Sequence, residues 1–216
     1  MSSGEGRQDA RERLIQAGIE IFAENGFNAT TTRMLAEKAQ VNLSAIPYYF
    51  QGKEGLYRAT VEHIAEVLSA YLSPFLERIR ELPGDDLTPE AARDLLRTLL
   101  STLVDVICGN PEMVGFARII LREQMAPTPA FDLIYPRVMQ RVLGALAKLF
   151  GAITGEADER SRILKAFMCI GQILIFRAGR ETIVRRLGIE GYSDEEIREI
   201  RELVVQQTFA ALGPGV

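Results

Sequence analysis

The chain has 216 residues, 47% of them hydrophobic and 25% charged, with a net charge of −4 and two cysteines. That balance supports a packed core and excludes a disulfide-stapled scaffold, an intrinsically disordered chain and a protein that coats nucleic acid indiscriminately. No apolar run approaches the roughly 18 residues needed to cross a bilayer, and the opening MSSGEGRQDARER lacks the apolar centre of a secretory signal. A reduced, cytoplasmic protein with no membrane partner is expected.

Residues 1–8 are expected to form a disordered tail. From Asp9, the residues Ala10, Leu14, Ile15, Ala17, Ile21, Phe22 and Ala23 recur at helical intervals and predict an amphipathic helix. Gly26 is placed to end it, with Phe27 folding back as an apolar contact. Thr30, Thr31 and Thr32 offer an N-cap ahead of Met34, Leu35, Ala36 and Ala39, which predicts a second, short helix. Gln40 and Val41 interrupt it. Asn42 offers another cap, and Leu43 to Tyr49 form a third segment with Ile46 and Phe50 on one side. Two short helices joined this tightly make a helix-turn-helix, whose second helix can enter the DNA major groove.

A fourth helix is expected from Lys53 or Glu54 to a linker at Pro83-Gly84-Asp85-Asp86. Thr88-Pro89, Asn110-Pro111 and Thr128-Pro129 each place a capping side chain before a proline at the first helical position. They predict helices near 89–108, 111–125 and 129–150. Ile163 to Ala178 is apolar almost all round, and Gly179 separates it from a short helix at Glu181 to Leu187. Ser193-Asp194-Glu195-Glu196 reads as a capping box that launches a last helix ending at Gly213-Pro214. No β-rich run or internal repeat occurs, so the fold class is all-α, with about nine or ten helices.

The stretch TTTRMLAEKAQVNLSAIPYYFQGK, residues 30–53, resembles the N-terminal DNA-binding domain of the TetR family of bacterial transcriptional regulators. Val41 matches the family's turn residue, Asn42 its cap, and Tyr48-Tyr49-Phe50 the aromatic pair that closes its recognition helix. AIPYYF ahead of GKEGL, and REQMAPTPAF at 122–131, resemble the CecR-like subgroup. The resemblance implies a three-helix DNA-binding domain over residues 9–53 and a helical ligand-binding and dimerisation domain over 54–216. It also implies a repressor that binds a double-stranded DNA operator as a homodimer and is released by a small, largely apolar effector.

By the same resemblance, Arg33, Leu43, Ser44, Ala45, Pro47 and Tyr48 face the major groove. Arg33 can donate two hydrogen bonds to a guanine edge, and Ser44 can donate or accept. Leu43, Ala45 and Pro47 can only touch methyl groups or exclude water. Tyr49 and Lys53 are expected at phosphates, with Thr30, Thr31 or Thr32 adding hydroxyls or helix N-terminal amides. Tyr48 or Tyr49 packing against the first helix is the competing reading, and Phe50 is the aromatic expected in the core. Pro47 is counted about five residues into its helix, where it is expected to shorten or kink it. Residues 1–60 hold seven Lys/Arg and seven Asp/Glu, so the reader is neutral and must place its few cations well.

The second domain is expected to hold a pocket lined by Phe116, Met125, Phe131, Tyr135, Phe167, Met168 and Phe176, with Arg118, Arg122 or Gln124 as its polar groups. A Met or Phe stripe is more often ordinary core, and that reading stands beside it. The last two long helices are too apolar to be half covered in a monomer, and pairing with a twofold mate would make a four-helix interface. Two recognition helices would then sit roughly 34 Å apart over a palindromic operator.

An enzyme is the main rival. The single histidine, His63, lies inside a helix, and the chain has no HExxH, GxSxG, phosphate loop or cysteine cluster. No catalytic residue, metal or cofactor is therefore expected. A helical small-molecule-binding or adaptor protein without a DNA role is the third reading.

Overall fold

The structure is a computed structural model that describes residues 2–83, 87–110 and 113–213. Among the described residues there are helices and connections and no strand. The helices are α1 (Ser2–Ala29), α2 (Thr32–Ala39), α3 (Ala45–Phe50), α4 (Lys53–Glu81), α5 (Pro89–Val104), α6 (Val114–Met125), α7 (Phe131–Ile134), α8 (Gln140–Thr154), α9 (Glu159–Ala178), α10 (Arg180–Leu187) and α11 (Asp194–Leu212). π-turns at Asp105–Gly109 and Tyr135–Met139 extend α5 and join α7 to α8.

Local chemistry explains most helix starts. The Thr31 hydroxyl accepts from the Met34 N–H at the head of α2, and the Thr88 hydroxyl accepts from Ala91 ahead of Pro89. The Ser193–Glu196 capping box is complete. Asp158 caps α9 by accepting from Arg160. Other expectations need correction. The backbone of α1 is helical from Ser2, across the segment expected as a tail. No proline or capping group stands between Ser2 and Asp9 to stop helix propagation. The linker residues Gly84, Asp85 and Asp86, the helix start at Pro111 and the helix stop at Pro214 lie outside the described residues. Thr128-Pro129 does not open a helix, because α7 starts only at Phe131.

The chain divides into two compact units, one of residues up to Ala70 with Gly115–Val138, the other of Tyr71–Val114 with Met139 onward. The division does not fall at residue 53. It cuts α4 at Ala70, whose carbonyl would accept from residue 74 were that residue not Pro74.

In the first unit, Leu14, Phe22, Leu35, Ile46, Leu56 and Ile64 are fully buried and hold α1, α2, α3 and the start of α4 together. At roughly 1.5–3 kcal/mol for each such side chain, this core dominates the stability of the unit. Gly26 has φ 74 and ψ 171 and breaks α1. Phe27 then turns back to stack on Phe22 at 6.3 Å and to meet Tyr57 at 5.2 Å.

In the second unit, α8 packs on α5 and α9, with Leu96, Leu99, Leu100, Leu146, Leu149 and Phe150 buried between them, and α11 lies against α5. The stretch 163–178 is not buried all round. Only Ala166, Cys169 and Ile173 of α9 are buried, whereas Leu164, Phe167, Met168 and Ile175 are exposed. Burial pushes the Cys108 thiol up to about 11 and raises Cys169 as well, so both are structural rather than reactive.

Candidate nucleic-acid interface

The reading edge is built from the turn outward. Val41 follows Gln40, which adopts a left-handed conformation at φ 54 and lets the Val41 N–H return to the Ala36 carbonyl. That reversal ends α2. Asn42 then works as a side-chain cap: its Oδ1 accepts from the Ser44 N–H at 3.0 Å and from the Ser44 hydroxyl at 2.9 Å. Because this capped turn precedes the helix, α3 starts at Ala45 and Pro47 is only its third residue. The first-turn N–H groups of a helix have no partner inside it, so a proline there loses nothing. The expected kink at Pro47 is therefore corrected: the turn consumes the residues that had been counted as helix.

One side of α3 is core and the other is open. Ile46 and Phe50 are buried, and the Arg11 guanidinium lies 5.5 Å from the centre of the Phe50 ring. Leu43, Ser44, Pro47 and Tyr48 are exposed, with Tyr48 at 65%, and Ala45 is half-buried. Tyr49 is half-buried and meets Tyr48 edge-on at 4.8 Å. Of the two tyrosines, Tyr48 is thus the one that stands clear. Arg33 projects from α2 and donates through Nε to Glu37 at 2.8 Å, one turn on. That bond uses the inner edge of the guanidinium and leaves the two terminal nitrogens as an outward fork.

Three expected contacts read differently. Thr30 is 1% exposed and its hydroxyl donates to the Gly26 carbonyl at 2.7 Å, so it closes the end of α1 and faces no partner outside. Thr31 is occupied as the cap of α2, and Thr32, half-buried, begins the helix whose first amides point outward. The Lys53 ammonium donates to the Phe27 and Thr30 carbonyls, both at 2.9 Å, and lies 4.4 Å from the centre of the Phe27 ring. Two of its three N–H donors are consumed in tying α4 to the broken end of α1. The unsatisfied carbonyls left by the break at Gly26 are the physical reason.

A second set of residues supports this edge from within the same unit. Glu123 of α6 is 1% exposed. It accepts from the Tyr57 hydroxyl at 2.6 Å and from the Thr128 amide and hydroxyl at 3.0 Å each. Thr128 is drawn to this carboxylate, which is why it does not open a helix at Pro129. Beside it, Arg122 donates to the Ala23 and Glu24 carbonyls at the end of α1. Tyr57 is pushed well above the ordinary tyrosine range, first by burial and then by the hydrogen bond to Glu123. The neutral phenol is the form the fold accepts, so its stabilisation is present below the unfolded pKa of about 10 and is lost as pH rises beyond it. Tyr57→Phe should leave Glu123 short of a donor, cost about 1–3 kcal/mol at pH 7 and flatten the fall of stability between pH 9 and 11. Chemical denaturation across that range measures both.

The sequence drew attention to Arg122 and Gln124 and passed over Glu123. Its signal was legible: Phe116, Ile119 and Glu123 share one face of α6, and two of the three are apolar core. Of the residues expected in a ligand pocket, Phe116 is buried, Arg122 is tied to α1, and Phe131 stacks on Tyr135 at 5.7 Å. Arg118 and Gln124 are exposed, and Met125 is 86% exposed. Phe176 is half-buried, while Phe167 and Met168 face outward at 51% and 75%. None of them lines the cleft that does open in the first unit. That cleft, of about 720 Å³, lies between Phe27, Glu54, Tyr57, Arg58, Pro129 and Leu133.

Residues 14–65 match the sequence family described as "Bacterial regulatory proteins, tetR family", and residues 92–214 match "HTH-type transcriptional dual regulator CecR, C-terminal domain". The chain is 33% identical over 199 residues to the HTH-type transcriptional dual regulator CecR of Shigella flexneri, covering 91% of this chain and 88% of that one. Two solved structures share the fold. The transcriptional regulator FadR from Bacillus subtilis in complex with stearoyl-CoA superposes with a TM-score of 0.63 at 18% identity, over 91% of this chain and 96% of that one. AibR in complex with isovaleryl coenzyme A and operator DNA gives 0.62 at 12% identity, over 92% and 97%.

Proposed function

We infer the working of this chain from its family: it belongs to the TetR family of bacterial regulatory proteins and carries a C-terminal domain of the CecR type. It is a DNA-binding transcriptional regulator. It acts as a repressor rather than an enzyme, and binds a palindromic operator in the bacterial cytoplasm as a homodimer. The observation that carries this reading is the split of α3 into a buried face, Ile46 and Phe50, and an exposed face, Leu43, Ser44, Pro47 and Tyr48, beside the outward fork of Arg33.

The roles follow from the bonds. Arg33 reads a guanine through its terminal nitrogens while Glu37 holds the Nε side. The Ser44 hydroxyl donates to Asn42, so it meets DNA as an acceptor. Leu43, Ala45 and Pro47 contact thymine methyls, and Tyr48 reaches a base edge or sugar. Thr31, Thr32 and Tyr49 hold phosphates, and the exposed amide of Asn42 adds a donor. Lys53 positions α4 and offers its last N–H to a phosphate. With so few donors to base edges, DNA shape contributes to specificity.

A small effector releases the operator. Both solved relatives in complex carry acyl-coenzyme A thioesters, which favours an effector with a long apolar part. Release requires an effector that binds one of two arrangements better than the other. Pro74 leaves α4 weakest near Ala70, where the helix passes from one unit into the other, and a change of tilt is absorbed there. Selection of bound DNA from a random pool is the test. It should return an inverted repeat with half-sites about one helical turn apart. Arg33→Ala should then lose about 1–3 kcal/mol and relax one base position in each half-site. A loss spread evenly over all sequences would remove Arg33 from base readout.

A further inference from the structure

A second binding site lies in the unit that does not carry the helix-turn-helix, and the DNA reading is not needed for it. Arg93, Arg97 and Ser101 stand one turn apart along α5, and Arg201, Val205 and Phe209 stand at the same spacing along α11. The two rows face each other across an open groove of about 630 Å³, within the range of small-ligand sites. The guanidinium carbons of Arg93 and Arg97 lie 5.8 and 5.3 Å from the centre of the Phe209 ring.

The charges do not balance. Among the described residues, no carboxylate lies within ion-pair distance of Arg93 or Arg97. Arg201 is satisfied at one end by Asp105, 2.5 Å away, while its Nε is buried with no partner. Glu202 is the only carboxylate on the groove's wall. Stacking on Phe209 holds the two guanidinium groups by their faces and leaves their N–H edges turned to the groove. Two ordered forks one helical turn apart suit an acceptor with several oxygens, since guanidinium–phosphate pairing is bidentate. In a chain of net charge −4, so local an excess of cations is not explained by a basic surface.

We propose that the groove between α5 and α11 binds a phosphate-bearing small molecule of nucleotide size, with Arg93 and Arg97 holding a diphosphate. The groove is open and wet, so the affinity is modest, with Kd on the order of 100 µM. It weakens with added salt, as contacts between exposed charges do.

The test is calorimetric titration of the full chain with ADP, with inorganic pyrophosphate and with adenosine. ADP and pyrophosphate should each bind saturably, one per chain, and adenosine should not. Arg93→Gln/Arg97→Gln should weaken ADP at least tenfold. Arg93→Lys/Arg97→Lys keeps the charge but not the fork, and should fall between the two. Arg185→Gln, at an exposed arginine of α10, should change nothing. If the arginines serve only to pack α5 on α11, the Gln variant melts lower while no phosphate compound binds the parent chain. That result overturns the proposal, as does equal binding by the parent and the Gln variant.

Discussion

Replacing Gly55 with alanine should disable the reader more than any change at the reading edge. Gly55 lies in the first turn of α4, and a Cβ built there falls inside the van der Waals radius of the Phe50 carbonyl oxygen. Phe50 is the last residue of α3, so the close approach sets how the recognition helix meets the helix behind it. The obstruction is backbone and not the tip of a flexible side chain, so one of the two helices has to move. Phe50 is buried and Lys53 is pinned to two carbonyls, which leaves little room to yield. A cost of about 3 kcal/mol is expected, at the upper end for overpacking. That lowers Tm by roughly 6–12 °C for a chain of this size. Operator affinity should fall together with Tm, because the displaced helix is the one that reads DNA. Gly144→Ala is the contrast. No atom lies within 4 Å of a Cβ at that position in α8, so the higher helix propensity of alanine should stabilise by about 0.5–1 kcal/mol. Thermal melts of the two variants separate close approach from simple helix propensity. Equal melting of Gly55→Ala and the parent would show that α3 and α4 can part without loss.

The start of most helices was legible because the chemistry that makes it is local. Thr31, Thr88 and the Ser193–Glu196 box act over two or three residues, and each does what its spacing predicts. The errors share a cause of the opposite kind, a partner far away in sequence. Thr128 looks like a cap but bonds Glu123, which is itself held by Tyr57, 66 residues away. Thr30 looks like a donor to DNA but is drawn under the end of α1 by the break at Gly26. Lys53 satisfies carbonyls more than 20 residues earlier. Pro47 was miscounted for a different reason: the Asn42 turn absorbs two residues before α3 begins. The exposed readers Leu43, Ser44 and Tyr48 were found because a helix of six residues with two buried positions leaves few alternatives. The pocket residues were the least legible, since large apolar side chains fill cores, line cavities and cover interfaces with the same sequence signature.

The outward face of α9 decides among those three uses. Leu164, Phe167, Met168 and Ile175 recur at three-, four- and seven-residue intervals and are 54%, 51%, 75% and 57% exposed in the single chain. On α11, Leu203 is also exposed, at 41%. Side chains this large and this open line no closed cavity, and a stripe of them on one long helix calls for a second apolar surface. A second copy of the chain supplies it, stripe against stripe across a twofold axis. The charge reversal Phe167→Glu/Met168→Glu should then turn the dimer into a monomer of 24.0 kDa. Because both side chains already face solvent in one chain, the fold of each chain should survive. Operator affinity should nevertheless fall by roughly 100-fold or more, since one reader loses the effective concentration its twin supplies. The parent chain's Tm should rise with protein concentration and that of the variant should not. Sedimentation at micromolar concentration, with an operator titration on the same samples, tests both halves. A variant that stays dimeric and binds its operator as before would move the interface away from α9 and leave the stripe without a partner.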